Sequence, residues 1–169
     1  MSDSPITHRR FVSYIDRTRE YYAAQGYEKP YRWACHSSVP FTRPTKPLSE
    51  SRVTVVTTAS PFKGQKAREG VLRGDKEVWS GETRETPERL YTDDLAWDKE
   101  STHTDDVESF VPLGALRAFA EEGRIGSLAR RFHGVPTDYS QRRTIERDAP
   151  EIVSRCKEDE VDIALLVPL

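Results

Sequence analysis

The run Val161-Asp162-Ile163-Ala164-Leu165-Leu166-Val167 decides the fold. From Ile163 to Val167 no polar residue interrupts it, so the side chains directed to both faces of a strand are apolar. That pattern marks a strand covered on both sides within a parallel sheet. Such a strand wants a neighbour on each edge and helices above and below. Upstream, Ser140 to Glu158 reads as a helical region broken or restarted at Pro150, since proline cannot sit in a helix interior without cost. Ile125-Gly126-Ser127-Leu128 reads as a tight turn. Ahead of it, Pro112 opens a helix whose apolar face is Leu113, Leu116, Phe119 and Ala120, and Gly123 closes it. Arg52-Val53-Thr54-Val55-Val56-Thr57-Thr58 is a second strand, rich in β-branched side chains that suit a pleated surface. Strand, helices, strand is an α/β pattern: a partial parallel sheet flanked by helices.

The remaining segments are less regular. Ser4, Pro5, Phe11, Ile15, Thr18 and Tyr22 fit an opening helix that Gly26 ends. Residues 27–51 form a connector punctuated by Pro30, Pro40, Pro44 and Pro47, with Tyr27, Tyr31, Trp33 and Phe41 interleaved. Four aromatics are costly to leave in water, so this connector is expected to pack on a single domain spanning 1–169. Residues 60–85 have no sustained period and read as loop, and Thr86-Pro87-Glu88 is a helix-start signature. Residues 93–108 are acidic. Two strands are fewer than a stable open sheet normally has, and an apolar strand edge invites aggregation. Later strands beyond Leu169, or strands from a partner chain, are therefore expected; strands unread between 60 and 110 are the alternative.

Composition bounds the function. Among 169 residues, 26 basic and 28 acidic side chains nearly balance. Nucleic-acid binding draws on a clustered excess of Lys and Arg, and the pairs Arg9-Arg10, Arg130-Arg131 and Arg142-Arg143 each sit among acids, as on a solvated helix face. No apolar stretch reaches the ~20 residues of a membrane span. Cys35 and Cys156 lie far apart without metal or redox spacing, which suits a reducing, cytoplasmic compartment.

Four segments, in order, resemble the selenoprotein B family of glycine, betaine, sarcosine and D-proline reductases. Phe11 to Tyr22 is similar to the family's opening helix. Pro47 to Ala59 resembles its first strand and the loop after it. Phe110 to Leu128 resembles its middle helix and Gly-Ser turn. Ala149-Pro150-Glu151-Ile152-Val153 through Val161 to Pro168 resembles the helix and strand that lead to the active site. The resemblance is nearest the shorter D-proline reductase type. It implies a catalytic selenocysteine just after Leu169, with a cysteine a few positions later. It further implies a partner subunit carrying a pyruvoyl group, a thioredoxin-like reductant and a small amino-acid substrate, with no cofactor held by this chain itself. Two departures stand out: Glu160, where relatives tend to have glycine, and a reduced His/Asp segment, Thr102-His103-Thr104-Asp105-Asp106.

Reactive groups in open α/β sheets gather at the carboxyl ends of strands. Thr57, Thr58 and Pro168 therefore become substrate-pocket candidates, provided that the two strands are adjacent. His103, Asp105 and Asp106 form a second candidate group, as a metal or acid–base cluster or in contact with substrate. One imidazole and two carboxylates over four residues are common in surface loops, however, and that reading is favoured. Cys35-His36 lacks a third group to orient it. Cys156 reads as a small core residue. Gly126-Ser127, without further glycines, is no phosphate loop.

Overall fold

A computed structural model describes residues 13–27, 36–40, 42–61, 77–92, 103–135 and 140–169. The chain divides into two compact units, 1–43 and 44–169. In the first, helix α1 (Ser13–Ala24) ends where the sequence predicts, with Gly26 at φ 82°. The helix-start residues Ser4, Pro5 and Phe11 lie outside the described residues.

The second unit is built around β1 (Arg52–Thr57), whose Val53, Thr54, Val55, Val56 and Thr57 are all buried. β5 (Ile163–Val167) runs parallel along one edge of β1, from Val53↔Ile163 to Thr57↔Val167. The other edge takes β3 (Ser127–Leu128) against Arg52 and Val53, and β4 (Arg131–Gly134) against Val56 and Thr57, both parallel. Between them the register slips by two residues at Ala129 and Arg130, while the Ala129 N–H still donates to the Val53 carbonyl at 2.8 Å. β2 (Trp79–Glu82) closes the far side, antiparallel to β4. The sheet is mostly parallel and interleaved with helices, so the chain is of the α/β class.

Helix α2 (Leu113–Glu121) carries the chain from β1 toward β3 and β4. Its Leu113 and Leu116 bury against Val53, Val55, Val107, Phe110 and Phe132. The short helix α3 (Gln141–Arg143) passes through a π-helical turn (Thr144–Asp148) into α4 (Ala149–Glu158), which returns the chain past β1 to β5. Right-handed crossovers that run in opposite directions put their helices on opposite faces of the sheet. The contacts agree: α2 covers the Val53–Phe132 face, and α4 bonds to Ser80 and Arg131 on the face of His133.

Several sequence expectations need correction. β2 lies inside the stretch read as loop, and β4 passed unread. The Gly126-Ser127 turn opens β3, because Gly126 N–H donates to the carbonyls of Leu48 and Ser51. Over the described residues 87–92 no helix follows Thr86; its hydroxyl bonds Glu108, and Arg117 Nη2 donates to it at 3.1 Å. Pro150 follows the π-helical turn within one continuous helical run, 141–158, so the helix is neither ended nor restarted at it. β5 is not covered on both faces either. Ile163 and Val167 pack on the core, but Ala164, Leu165 and Leu166 are exposed, Leu166 by 73%. Among the described residues no strand pairs with the outer edge of β5. No described helix is long and apolar enough to cross a membrane.

Three helices stop in the same way. Residues Gly26, Gly123 and Glu160 sit in the left-handed region at φ 82°, 70° and 53°. In each case the next amide reaches back five residues: Tyr27 to Tyr22, Arg124 to Phe119, Val161 to Cys156. Glycine takes this position without penalty, whereas a Cβ costs about 1–2 kcal/mol. Glu160 recovers part of that through Arg52 Nη1 at 2.9 Å, an exposed pair worth about 0–1 kcal/mol. Glu160→Gly is therefore expected to raise the calorimetric midpoint by about 2–4 °C. Glu160→Ala keeps the strain and loses the pair, so it lowers the midpoint. Equal shifts for the two variants would contradict this account of the helix end.

Candidate functional site

Chain order runs from β1 to β4 on one side and then to β5 on the other. The switch point therefore falls between β1 and β5, the crevice where open α/β sheets take ligands. Thr57 pairs with Val167 there, so the condition on which the pocket candidates rested, adjacent strands, is met. The three candidates are not equivalent. Thr57 is 1% exposed, and its Oγ1 accepts the Ala59 N–H at 3.2 Å, which turns it into the fold. Thr58 is half-buried and clasps the segment leaving β5. Its Oγ1 accepts the Leu169 N–H at 2.8 Å and donates to the Leu169 carbonyl oxygen at 3.3 Å. Pro168 lies exposed between them.

The second candidate group serves a loop. Asp106 Oδ1 accepts the Glu108 N–H at 3.0 Å and so caps the 3-10 helix Val107–Ser109. Asp105 pairs with Arg89 and lies 3.5 Å from His103 Nδ1; both side chains are exposed. Among the described residues, no hydrogen bond or ion pair joins this group to Thr57, Thr58 or Pro168. Nor do any three described His, Cys, Asp or Glu side chains gather as a metal site. Cys35 lies outside the described residues. Cys156 is half-buried on α4, and burial, with Asp159 nearby, pushes its thiol up, away from nucleophile chemistry.

A polar cluster that the sequence did not reveal lies on the other side of β1. His133, on β4, is fully buried, with Nδ1 2.9 Å from Ser80 Oγ on β2. Arg155 Nη1 on α4 donates to the same Oγ at 2.8 Å. Among the described residues, His133 Nε2 has no hydrogen-bond partner. Burial first, then the Arg131 charge, hold its imidazole below the usual histidine range. Beside Arg155 opens a cavity of about 260 Å³ lined by Glu77, Val78, Arg147, Asp148 and Glu151. The only signal for His133 in the sequence was Phe132-His133-Gly134, too short a run to carry a strand pattern.

Larger cavities, of about 570 and 480 Å³, flank Arg52 at the amino ends of the strands. Size and chemistry disagree here, and the chemistry decides. Several of the charges at these hollows are paired with one another, although Glu50, Glu82, Arg84, Arg130 and Lys157 also line them. Lys46 pairs with Asp162 at 2.9 Å and Arg52 with Glu160, while neighbouring Arg131 pairs with Asp159 at 2.7 Å. The Arg131 hydrogen bond holds Asp159 below the usual carboxylate range. This is an ion-pair belt that ties α4 and β5 to the foot of the sheet, and the carboxyl ends remain the candidate site. No protein-family profile, curated protein or solved structure matches the chain.

Proposed function

We propose that this chain is the front part of a selenoprotein B-like subunit of an amino-acid reductase, nearest the D-proline type. The observation that carries the reading is the Thr58–Leu169 clasp at the β1–β5 switch point. It fixes where the chain leaves β5, and in this reading the selenocysteine follows directly. The selenol ionises below the thiol range, and the anion is the nucleophile. Selenolate attack at the α-carbon of an amino acid held by a pyruvoyl group of the partner subunit breaks the carbon–nitrogen bond. The nearby cysteine thiol then takes the selenium as a selenide–sulfide, and the carbon leaves with a proton. Two electrons from a thioredoxin-like dithiol reopen that bond. Thr58 and Pro168 line the approach, while His103, Asp105 and Asp106 contact substrate only if their loop reaches it. The cytoplasm, where thiols stay reduced, is the compartment this chemistry calls for.

A second reading draws on the open edge of β5 with Leu165 and Leu166 exposed. It makes the chain a non-catalytic module that completes its sheet against another protein or binds a small ligand. The codon after Leu169 in the natural gene separates the two. An in-frame UGA followed within a few codons by one for cysteine is expected. UAA or UAG at that place would sink the reductase reading.

A further inference from the structure

The buried polar chain from α4 to β4 has a property that the reductase reading does not use. Ser80 Oγ has two lone pairs and one proton. It accepts from Arg155, which can only donate, so its proton is free for His133 Nδ1 while the imidazole is neutral. Two neutral tautomers fit, and both leave Nε2 without a partner. A protonated ring fits neither. Its Nδ1–H must donate to Ser80, whose one oxygen then bridges an imidazolium and a guanidinium. Its Nε2–H has no acceptor in a fully buried place, and a buried cation without a counter-charge is strongly disfavoured.

Every charged group around the ring is already placed. On β4, Arg131 lies two residues away on the same face. On β2, Glu82 stands opposite Arg131, and Ser80 opposite His133. At the end of α4, Glu158 and the following Asp159 are both bonded to Arg131, at 3.0 and 2.7 Å. Arg155 is paired with Glu151 at 2.9 Å. On β1 the neighbours are Val56, opposite His133, and Thr54, which bonds the Arg131 carbonyl. The two acids within reach are thus committed, and the two nearest cations oppose the new charge. Relief requires water, and water reaches the ring when α4 lifts from β2 and β4.

We propose that His133 is a proton-operated latch, holding α4 against the β2–β4 edge while neutral and releasing it when charged. The latch bears on β5, because α4 runs into it through Asp159 to Asp162. It is independent of the reductase reading.

Sign and window follow from linkage. The folded-state value of His133 lies below the unfolded value of 6.5, so the unfolded or opened state binds the proton more tightly. The stabilisation is complete above about pH 6.5 and is lost as pH falls through the folded value.

The test is amide hydrogen exchange on the full chain at pH 7.5 and pH 5.0, corrected for intrinsic rates. Protection of Ile152 to Cys156 on α4 is expected to fall several-fold, while Leu116 to Glu121 on α2 keeps its protection. In His133→Gln the α4 protection is expected to be the same at both pH values. A wild-type α4 indifferent to pH, or one that loosens equally in the variant, overturns the latch. Should the variant fail to fold, the histidine Cε1 proton resonance of the wild type decides. Its midpoint must coincide with the loss of α4 protection, and separate midpoints overturn the proposal.

Discussion

On the proposed reductase reading, Thr58→Val in the complete subunit is expected to cut turnover about a hundred-fold while changing fold stability by only about 1 kcal/mol. Valine keeps the shape of threonine and removes only the hydroxyl. Leu169 N–H then loses its acceptor at 2.8 Å, and its carbonyl loses the donor at 3.3 Å. The pair is half-buried, so water can replace both bonds, and the net cost to folding is small. Turnover responds differently. A nucleophile that follows the clasped residue depends on it for aim, and a displacement of about 1 Å costs on the order of a hundred-fold in rate. In that reading the loss should fall on kcat more than on KM, because the Thr58 hydroxyl is engaged with the Leu169 backbone next to the nucleophile. Thr58→Ser restores the hydroxyl and should recover most of the rate. Equal turnover in wild type and Thr58→Val would remove the clasp from the mechanism.

The largest effect on folding is expected at Phe132. Its ring is fully buried at the centre of the core and meets Trp79 edge-on, with centroids 5.3 Å apart. It also fills the space that a side chain at Gly81 would need, since a Cβ there would lie 2.5 Å from the ring. Phe132→Ala removes the contact of β4 with α2 and leaves a hole lined by Val53, Val55, Leu113 and Leu116. Denaturant unfolding should register a loss of about 3–5 kcal/mol, as for other large-to-small core changes. Phe132→Leu keeps most of the volume and should cost much less. A loss below about 1 kcal/mol for the alanine variant would mean that β4 is not part of the core.

β1 was legible in the sequence because burial makes its residues β-branched or apolar, and β5 because its run from Ile163 to Val167 is apolar without interruption. Gly26 and Gly123 were legible as helix stops because a left-handed residue selects glycine. β2 and β4 were not legible, for a physical reason. One face of β4 packs on the core through Phe132 alone, while the other presents Arg131 and His133 to the charged face of α4. Neither hydrophobic alternation nor an apolar run survives in Arg131-Phe132-His133-Gly134. Trp79-Ser80-Gly81-Glu82 is similarly disguised: Gly81 makes room for Phe132, and Ser80 serves His133. In β3 only two residues pair. The double-sided burial read into β5 assumed a central strand. The described sheet leaves it at an edge, and its exposed Leu165 and Leu166 are the residue of that difference.

The candidate site was legible to the same degree. Thr58 and Pro168 could be placed together once the two strands were taken as neighbours, because parallel strands align their carboxyl ends. Thr57 was drawn in by proximity, although strand alternation points its side chain into the core. His103, Asp105 and Asp106 looked like a cluster by spacing alone, and local capping and ion pairing account for their geometry. His133 could not have been found, because its interest arises from Ser80 and Arg155, 53 residues before it and 22 after.

The central claim is that the strand ending at Val167 delivers a selenium nucleophile to the β1–β5 crevice. Intact-mass and selenium analysis of the protein made from the complete natural gene, in a host able to insert selenocysteine, tests it most directly. The account predicts a product heavier than the 19.4 kDa of these 169 residues, with one selenium atom per chain. A product of 19.4 kDa, or a longer one without selenium, would contradict it.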